Sequence, residues 1–306
     1  MSDELECFYP SGDLARDGWS VLVDGSLPGW SFTGLKVSDG SARAFDLPAG
    51  DVERMIVPLD ARAVTITTGG ERVELAGRAS VFGGTADVAY LGRGMGATVT
   101  ADGRLAVAEA ALDPLAPEHR PEPIAVIRAG DIPVELRGAG ASTRQVHNFG
   151  VPGALAAERL IVCEVVTPAG NWSSYPAHKH DESVSAHESR LEEIYYFESA
   201  VERGRSGEAS TSERPFATFS AHSSPGHFIE LETRVESGDV ALIPHGYHGP
   251  AAAAPGYDLY YLNVMAGPDP EREWLISDDP EQAWVRETWG SQHPDSRLPY
   301  LAKESR

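Results

Sequence analysis

At 306 residues the chain can form two domains, or one large all-β domain, with a substantial core. Its net charge of −21, from 46 acids against 25 bases, opposes nucleic acid and anionic lipid as partners. No apolar run approaches the ~18 residues that cross a bilayer, so no membrane partner is expected either.

The N-terminus, Met1-Ser2-Asp3-Glu4-Leu5-Glu6-Cys7, is acidic and lacks the apolar segment of a secretory signal. The two cysteines, Cys7 and Cys163, lie far apart in sequence, which argues against a structural disulfide and for a cytoplasmic protein. Residues up to about 30 are turn-rich, with Tyr9-Pro10-Ser11-Gly12, Asp24-Gly25 and Pro28-Gly29. From Trp30 to about Val107 short apolar or alternating runs such as Met55-Ile56-Val57 and Ala63-Val64-Thr65-Ile66-Thr67 are punctuated by Gly69-Gly70 and Gly83-Gly84. That spacing predicts a β-sandwich or barrel. The tract Ala106 to Ala116 is read as one short helix or strand.

Four prolines, Pro114, Pro117, Pro121 and Pro123, suit a linker or extended crossing. Three units are therefore expected: a first β lobe with its linker over 1–123, a second β lobe over 124–267, and a packing tail over 268–306. The second lobe should open near Ile124–Ile127 or, after the Gly138-Ala139-Gly140-Ala141 break, near Arg144. The Gly/Ser/charge-rich span Ser199 to Ser212 reads as a mobile surface hairpin. The tail carries Trp274, Trp284 and Trp289, with a capped helical turn predicted near Asp278–Trp284. It should pack back on a barrel or on a neighbouring subunit.

Histidine is unevenly placed. The first 146 residues hold one, His119, whereas residues 147–248 hold eight, so only the second lobe can carry an imidazole-rich site. In Pro176-Ala177-His178-Lys179-His180-Asp181 the two histidines share a face if the segment is a strand. Alone, a His-x-His pair is weak evidence. It gains weight from the strand Leu191-Glu192-Glu193-Ile194-Tyr195-Tyr196-Phe197, and from the Gly238-x5-Pro244-x-Gly246 turn followed by His248. Three neutral imidazoles and a carboxylate converging in a barrel suit a divalent transition metal.

Parity separates Glu193, Tyr195 and Phe197 from Glu192, Ile194 and Tyr196, but does not by itself choose the carboxylate. Extended back from His178, it turns Pro176, Ser174 and Trp172 inward and Lys179 away, as a surface or interface charge. His187, His222 and His227 read as solvent or rim residues. His245 and Tyr247 flank the turn and either line the pocket mouth or serve the turn itself. Tyr261 and Asn263 share a strand face suited to a polar wall, and Arg144 and Arg272 could hold a substrate carboxylate.

These stretches resemble the cupin superfamily, whose motifs pair His-x-His and Glu with Gly-x5-Pro-x-Gly and His. The second motif departs from it, with one residue rather than two between Gly246 and His248. The chain more closely resembles the 5-deoxy-glucuronate isomerase family of myo-inositol catabolism. That likeness runs through Thr167-Pro168-Ala169-Gly170-Asn171-Trp172-Ser173-Ser174-Tyr175, the His178 motif, Leu191 to Tyr196, Pro244 to His248, and Pro255 to Gly267. It implies an all-β bicupin, two β-barrel or jelly-roll lobes with few short helices, of which the first has degenerated. It also implies a metal held by His178, His180, Glu193 and His248, with Zn²⁺ the first expectation and Mn²⁺, Fe²⁺ or Ni²⁺ the alternatives.

The expected reaction is aldose–ketose isomerisation of 5-deoxy-D-glucuronate, a sugar acid, to 2-deoxy-5-keto-D-gluconate. A related 4-deoxy-5-keto-uronate isomerase, an Fe-dependent cupin dioxygenase and a non-catalytic sugar-binding cupin are the competing readings. Tyr261, Tyr195, His245 or a hydroxide at the metal could move the proton. Trp172, Ser174, Tyr247, Asn263 and Arg272 are the expected substrate contacts. The tail and the habits of relatives suggest a homo-oligomer.

Overall fold

The computed structural model describes residues 6–41, 43–114, 123–205 and 212–301. Four antiparallel sheets form four layers. The first lobe pairs a four-stranded sheet (Ala44–Leu47, Ala97–Ala101, Ala63–Thr68, Glu71–Ala76) with a six-stranded one running from Ile124–Ile127 to Trp19–Val23. Ile56, Val64, Ile66, Val99 and Val107 fill the space between them. In the second lobe a seven-stranded sheet faces the sheet that holds Ala217–Ser224, Tyr247–Ala253 and His178–Lys179. The seven strands run in the order Phe8–Tyr9, Val240–Ile243, Glu192–Val201, Tyr257–Ala266, Ile161–Thr167, Arg144–Gly150 and Val134–Arg137.

The seven-stranded sheet is covered on both faces. Tyr195, Phe197, Leu259 and Tyr261 point into the second lobe. Ile194, Tyr196, Tyr260, Leu262 and Val264 pack instead against Val23, Leu35, Met55 and Tyr90 of the first lobe. This is why Glu192–Phe197 and Leu259–Ala266 read as almost continuous apolar runs rather than alternating ones.

The boundaries at the lobe junction differ from the sequence expectation. Ile124–Ile127 pairs with Val88–Leu91 and completes the first lobe's sheet, so the crossing into the second lobe comes after it. Conversely, Phe8–Tyr9 leaves the first lobe to pair with Val240–Ala241. Residues 115–122, which hold most of the expected proline linker, and 206–211, within the expected mobile span, lie outside the described residues. Leu105–Ala111 is a strand; in the tail Asp279 caps the expected turn by accepting from the Glu281 and Ala283 N–H groups, and a short helix follows at Val285–Thr288.

Buried charges join the lobes. Arg78 Nη1 and Nη2 donate to the two Glu164 oxygens, both at 2.6 Å. Glu164 also pairs with His147 at 2.6 Å and accepts from Tyr260 at 2.8 Å. Burial raises the Glu164 pKa, but the Arg78 charge and hydrogen bonds outweigh it and hold the carboxyl well below its usual range. Its contribution to stability is therefore complete above the unfolded carboxyl value, ~4.3, and is lost only as pH falls through the lower folded value. Arg78→Met should strand the Glu164 charge and cost about 3–5 kcal/mol, measured as a lower urea midpoint with an unchanged slope.

Candidate metal centre and substrate cavity

His178 and His248 lie on directly paired strands, and His180 follows two residues after His178. The ring centroids of His178 and His180 lie 4.6 and 4.7 Å from that of His248. Each imidazole has its Nδ1 against a backbone carbonyl: His178 to Pro176 at 3.3 Å, His180 to Leu191 at 3.0 Å and His248 to Gly246 at 3.1 Å. An Nδ1–H donor in each pair leaves the Nε2 lone pair free to face inward. Glu193, only 2% exposed, places Oε2 at 3.0 Å from His180 Nε2 and 3.1 Å from His248 Nε2.

The second contact is close but out of line, so His248 Nε2 is buried without a hydrogen-bond partner. Burial favours the uncharged form, yet the His180 and His248 imidazoles beside it hold the Glu193 pKa down to about 2. For His178 burial dominates and, with its two neighbouring imidazoles, pushes the pKa well below the ordinary value. An anionic carboxylate facing imidazole nitrogens, one of them orphaned, fits a divalent cation. Glu192 points the other way. Its carboxylate accepts from the backbone N–H groups of Ser31, Phe32 and Thr33 in the first lobe, which removes it from the centre.

Two local constraints hold the arms together. Ser174 sits at φ 46°, a conformation that side chains rarely adopt. A Cβ at Gly249 would collide with the Ser174 carbonyl, so glycine beside His248 lets the two segments close on each other. Lys179 does point away from the imidazoles, but it is not the surface charge expected from parity: it is 6% exposed. Its Nζ donates to Asp181 at 2.7 Å and Glu188 at 2.8 Å. Asp181 accepts in turn from the Gly246 N–H at 2.9 Å, tying the first histidine arm to the loop before His248. Burial alone would lower the Lys179 pKa, but its carboxylate partners raise it.

A cavity of about 250 Å³ opens beside the centre, lined by His178, Glu193, Tyr195, Tyr261, Ser174 and Asn263 on one side. Arg144, Arg137, Arg286, Val146, Val165, Trp274 and Ile276 complete the wall. Ser174 Oγ bridges the phenols, 3.3 Å from Tyr195 Oη and 3.1 Å from Tyr261 Oη. Burial raises both phenol pKa values. Glu193 adds to the rise at Tyr195, whereas Ser173, Ser174 and Arg144 restrain it at Tyr261.

Arg137 is paired with Glu135 and Arg286 with Asp278, but Arg144 has no carboxylate partner among the described residues. Burial, together with repulsion by Arg137 and Arg286, pulls its pKa down to about 10, so it remains a cation at neutral pH. Asn263 Nδ2 and Trp274 Nε1 are buried donors without partners among the described residues.

Four of the expected pocket residues are placed elsewhere. Arg272 donates to the carbonyls of Leu160, Leu155 and Gly150, which pins a loop. His245 is bonded to the Phe228 carbonyl and stacked on His227, and Tyr247 stacks on His222. Trp172 is 44% exposed and packs edge-on against Tyr175. Conversely, Arg137 and Arg286 were missed. Arg137 could have been suspected, because the turn at Gly138 places it opposite Arg144 in register. Arg286 comes from the tail, and nothing local marks it.

A bicupin with its polar centre in the second lobe is the class that this fold and donor set define. The chain matches the KduI/IolB family over residues 9–285 and belongs to it. Proteins named 5-deoxy-glucuronate isomerase are similar to it. That of Geobacillus thermodenitrificans is 42% identical over 57% of this chain, and that of Bacillus velezensis 34% identical over 91% of this chain and 97% of the relative. The matched stretch spans 58% of the length of the Geobacillus protein. An IolB-like protein from Salmonella typhimurium LT2 superposes with a TM-score of 0.77 at 30% identity, covering 92% of this chain and 99% of that one. Oxalate decarboxylase of Lactobacillus farciminis, with a TM-score of 0.57 at 11% identity over 89% of this chain and 88% of its own, shares the fold alone. No helix among the described residues is long and apolar enough to cross a membrane.

Lys179→Met should leave Asp181 and Glu188 buried without their cation and cost about 3–5 kcal/mol in denaturant unfolding. Full stability of this variant would mean that the cluster is not tied to the folded centre.

Proposed function

We propose that the protein is a metal-dependent aldose–ketose isomerase that converts 5-deoxy-D-glucuronate to 2-deoxy-5-keto-D-gluconate. The observation that carries this reading is the polarity of the cavity. Glu193 with the His180 and His248 imidazoles, and His178 beside them, stands at one end, and a guanidinium without a carboxylate partner among the described residues at the other. A six-carbon acid with its aldehyde far from its carboxylate has the same two-ended character.

His178, His180, Glu193 and His248 would hold the metal, with Zn²⁺ the expected ion. When bound, the ion supplies Lewis-acid polarisation of the carbonyl and its neighbouring hydroxyl, which favours loss of the intervening C–H proton. Arg144 neutralises the substrate carboxylate and fixes which end reaches the centre. Burial raises both phenols, but Arg144 and two serine hydroxyls offset part of the rise at Tyr261, which makes it the better base of the two. Tyr195, held neutral by burial and the adjacent Glu193 charge, is suited to donate a proton to oxygen. Ser174 keeps the two phenols in register. His245, bonded outside the cavity lining, has no part in this scheme.

Turnover of 5-deoxy-glucuronate, followed by NMR, should stop with chelator and return with one divalent ion. His248→Ala should lose bound metal and activity together. Conversion of a 4-deoxy-5-keto-uronate but not of 5-deoxy-glucuronate would overturn the substrate assignment while leaving the reaction class. Tyr261→Phe should lower kcat by about 10²–10⁴ with metal content unchanged. An undiminished kcat would remove Tyr261 from proton transfer.

A further inference from the structure

The cavity wall is graded, and strand order sets the gradient. Crossing the seven-stranded sheet from its Val134–Arg137 edge, the inward residues come first from Arg144–Gly150, then from Ile161–Thr167, Tyr257–Ala266 and Glu192–Val201. Arg144 and Val146 share a face of the first of these strands. Val146 stands directly opposite Val165, and Val165 directly opposite Tyr261. On the far side Asn263 is opposite Tyr195, and Glu193 lies two residues before Tyr195. From the cationic edge inward the wall therefore reads guanidinium, paired valines, phenol and amide, then the imidazole–carboxylate centre. The sheet residues of this series, with His178 from the centre, line the one cavity.

We infer that the Val146–Val165 pair is the specificity element of the cavity, selecting sugar acids that carry a methylene rather than a hydroxylated carbon next to the carboxylate. With a carboxylate on Arg144, the adjacent substrate carbon falls against two side chains that can neither donate nor accept a hydrogen bond. The hydroxyl-bearing carbons beyond it meet Tyr261 and Asn263, whose Nδ2 is a buried donor awaiting an acceptor. A hydroxyl on the first carbon would be desolvated against the valines without a partner. Rejection of an added hydroxyl by an apolar site is worth about a hundredfold. This inference rests on the two-ended reading of the site given above, and it concerns binding as much as turnover.

The test compares 5-deoxy-glucuronate with glucuronate, which differs by that one hydroxyl, in calorimetric binding to the metal-loaded enzyme and, where turnover occurs, in kcat/KM. Wild type should prefer the deoxy acid by about a hundredfold. Val165→Thr and Val146→Thr, each placing a hydroxyl where a methyl stood, should shrink that preference at least tenfold. Arg144→Gln should instead weaken both acids together and leave their ratio nearly unchanged. Equal affinity of wild type for the two acids, or a preference that both threonine variants leave intact, overturns the inference. A binding preference that collapses in the variants, without isomerisation of either acid, sustains the inference and sinks the proposed reaction.

Discussion

One central sheet has to satisfy two cores at once. Glu192–Val201 and Tyr257–Ala266 send alternate residues into the second lobe and against the first, and the period of a strand leaves no third option. A one-residue slip would carry Glu193 and Tyr195 into the inter-lobe core and turn Ile194 and Tyr196 toward the cavity, so register and site are specified together. The adjacent carboxylates Glu192 and Glu193 show how strict this is. One accepts backbone N–H groups of the first lobe, and the other faces two imidazoles. The first lobe thus contributes to the centre indirectly, by fixing the sheet that presents it.

The centre itself is held through the backbone. Carbonyls of Pro176, Leu191 and Gly246 set the three imidazoles, and the same segments are cross-tied by the buried Lys179–Asp181 pair and by close packing of Ser174 on Gly249. Side chains positioned in this way lose little freedom when a ligand arrives. The amide of Asn263 and the indole of Trp274 are donors without partners among the described residues, and Arg144, bonded to the Ser142 carbonyl, adds a guanidinium without a carboxylate there. They make the cavity complementary to a molecule rich in acceptor oxygens.

What the sequence revealed follows local spacing. His-x-His, the glycine–proline turn and alternation along Tyr257–Val264 are short-range patterns, and the structure brings those residues together. The all-β character was equally plain from the glycine-punctuated strands. Parity gave the direction of Lys179 but not its burial, because burial depends on Glu188 and on pairing with Ser277, distant in sequence. Arg272 and Arg144 were indistinguishable as arginines. Only tertiary structure gave one of them three backbone carbonyls and left the other without a carboxylate among the described residues. The strand at Ile124 carried an apolar pattern that either lobe could have used, and pairing with Val88–Leu91 decided it.

A net charge of −21 opposes an anionic ligand at long range, yet the global charge and the cavity act at different ranges. Surface charges are screened beyond a Debye length of about 8 Å at physiological ionic strength, so the global field mainly affects approach. Inside the cavity the partners are fixed. The charges of Arg137 and Arg286 are already balanced by Glu135 and Asp278, and only Arg144 has a unit of positive charge to offer. A carboxylate docked there meets that charge directly. The valines beside Arg144 add no charge and no hydrogen bonds. A site so arranged spends its electrostatics on one end of the ligand, leaving shape and polarity to discriminate along the rest.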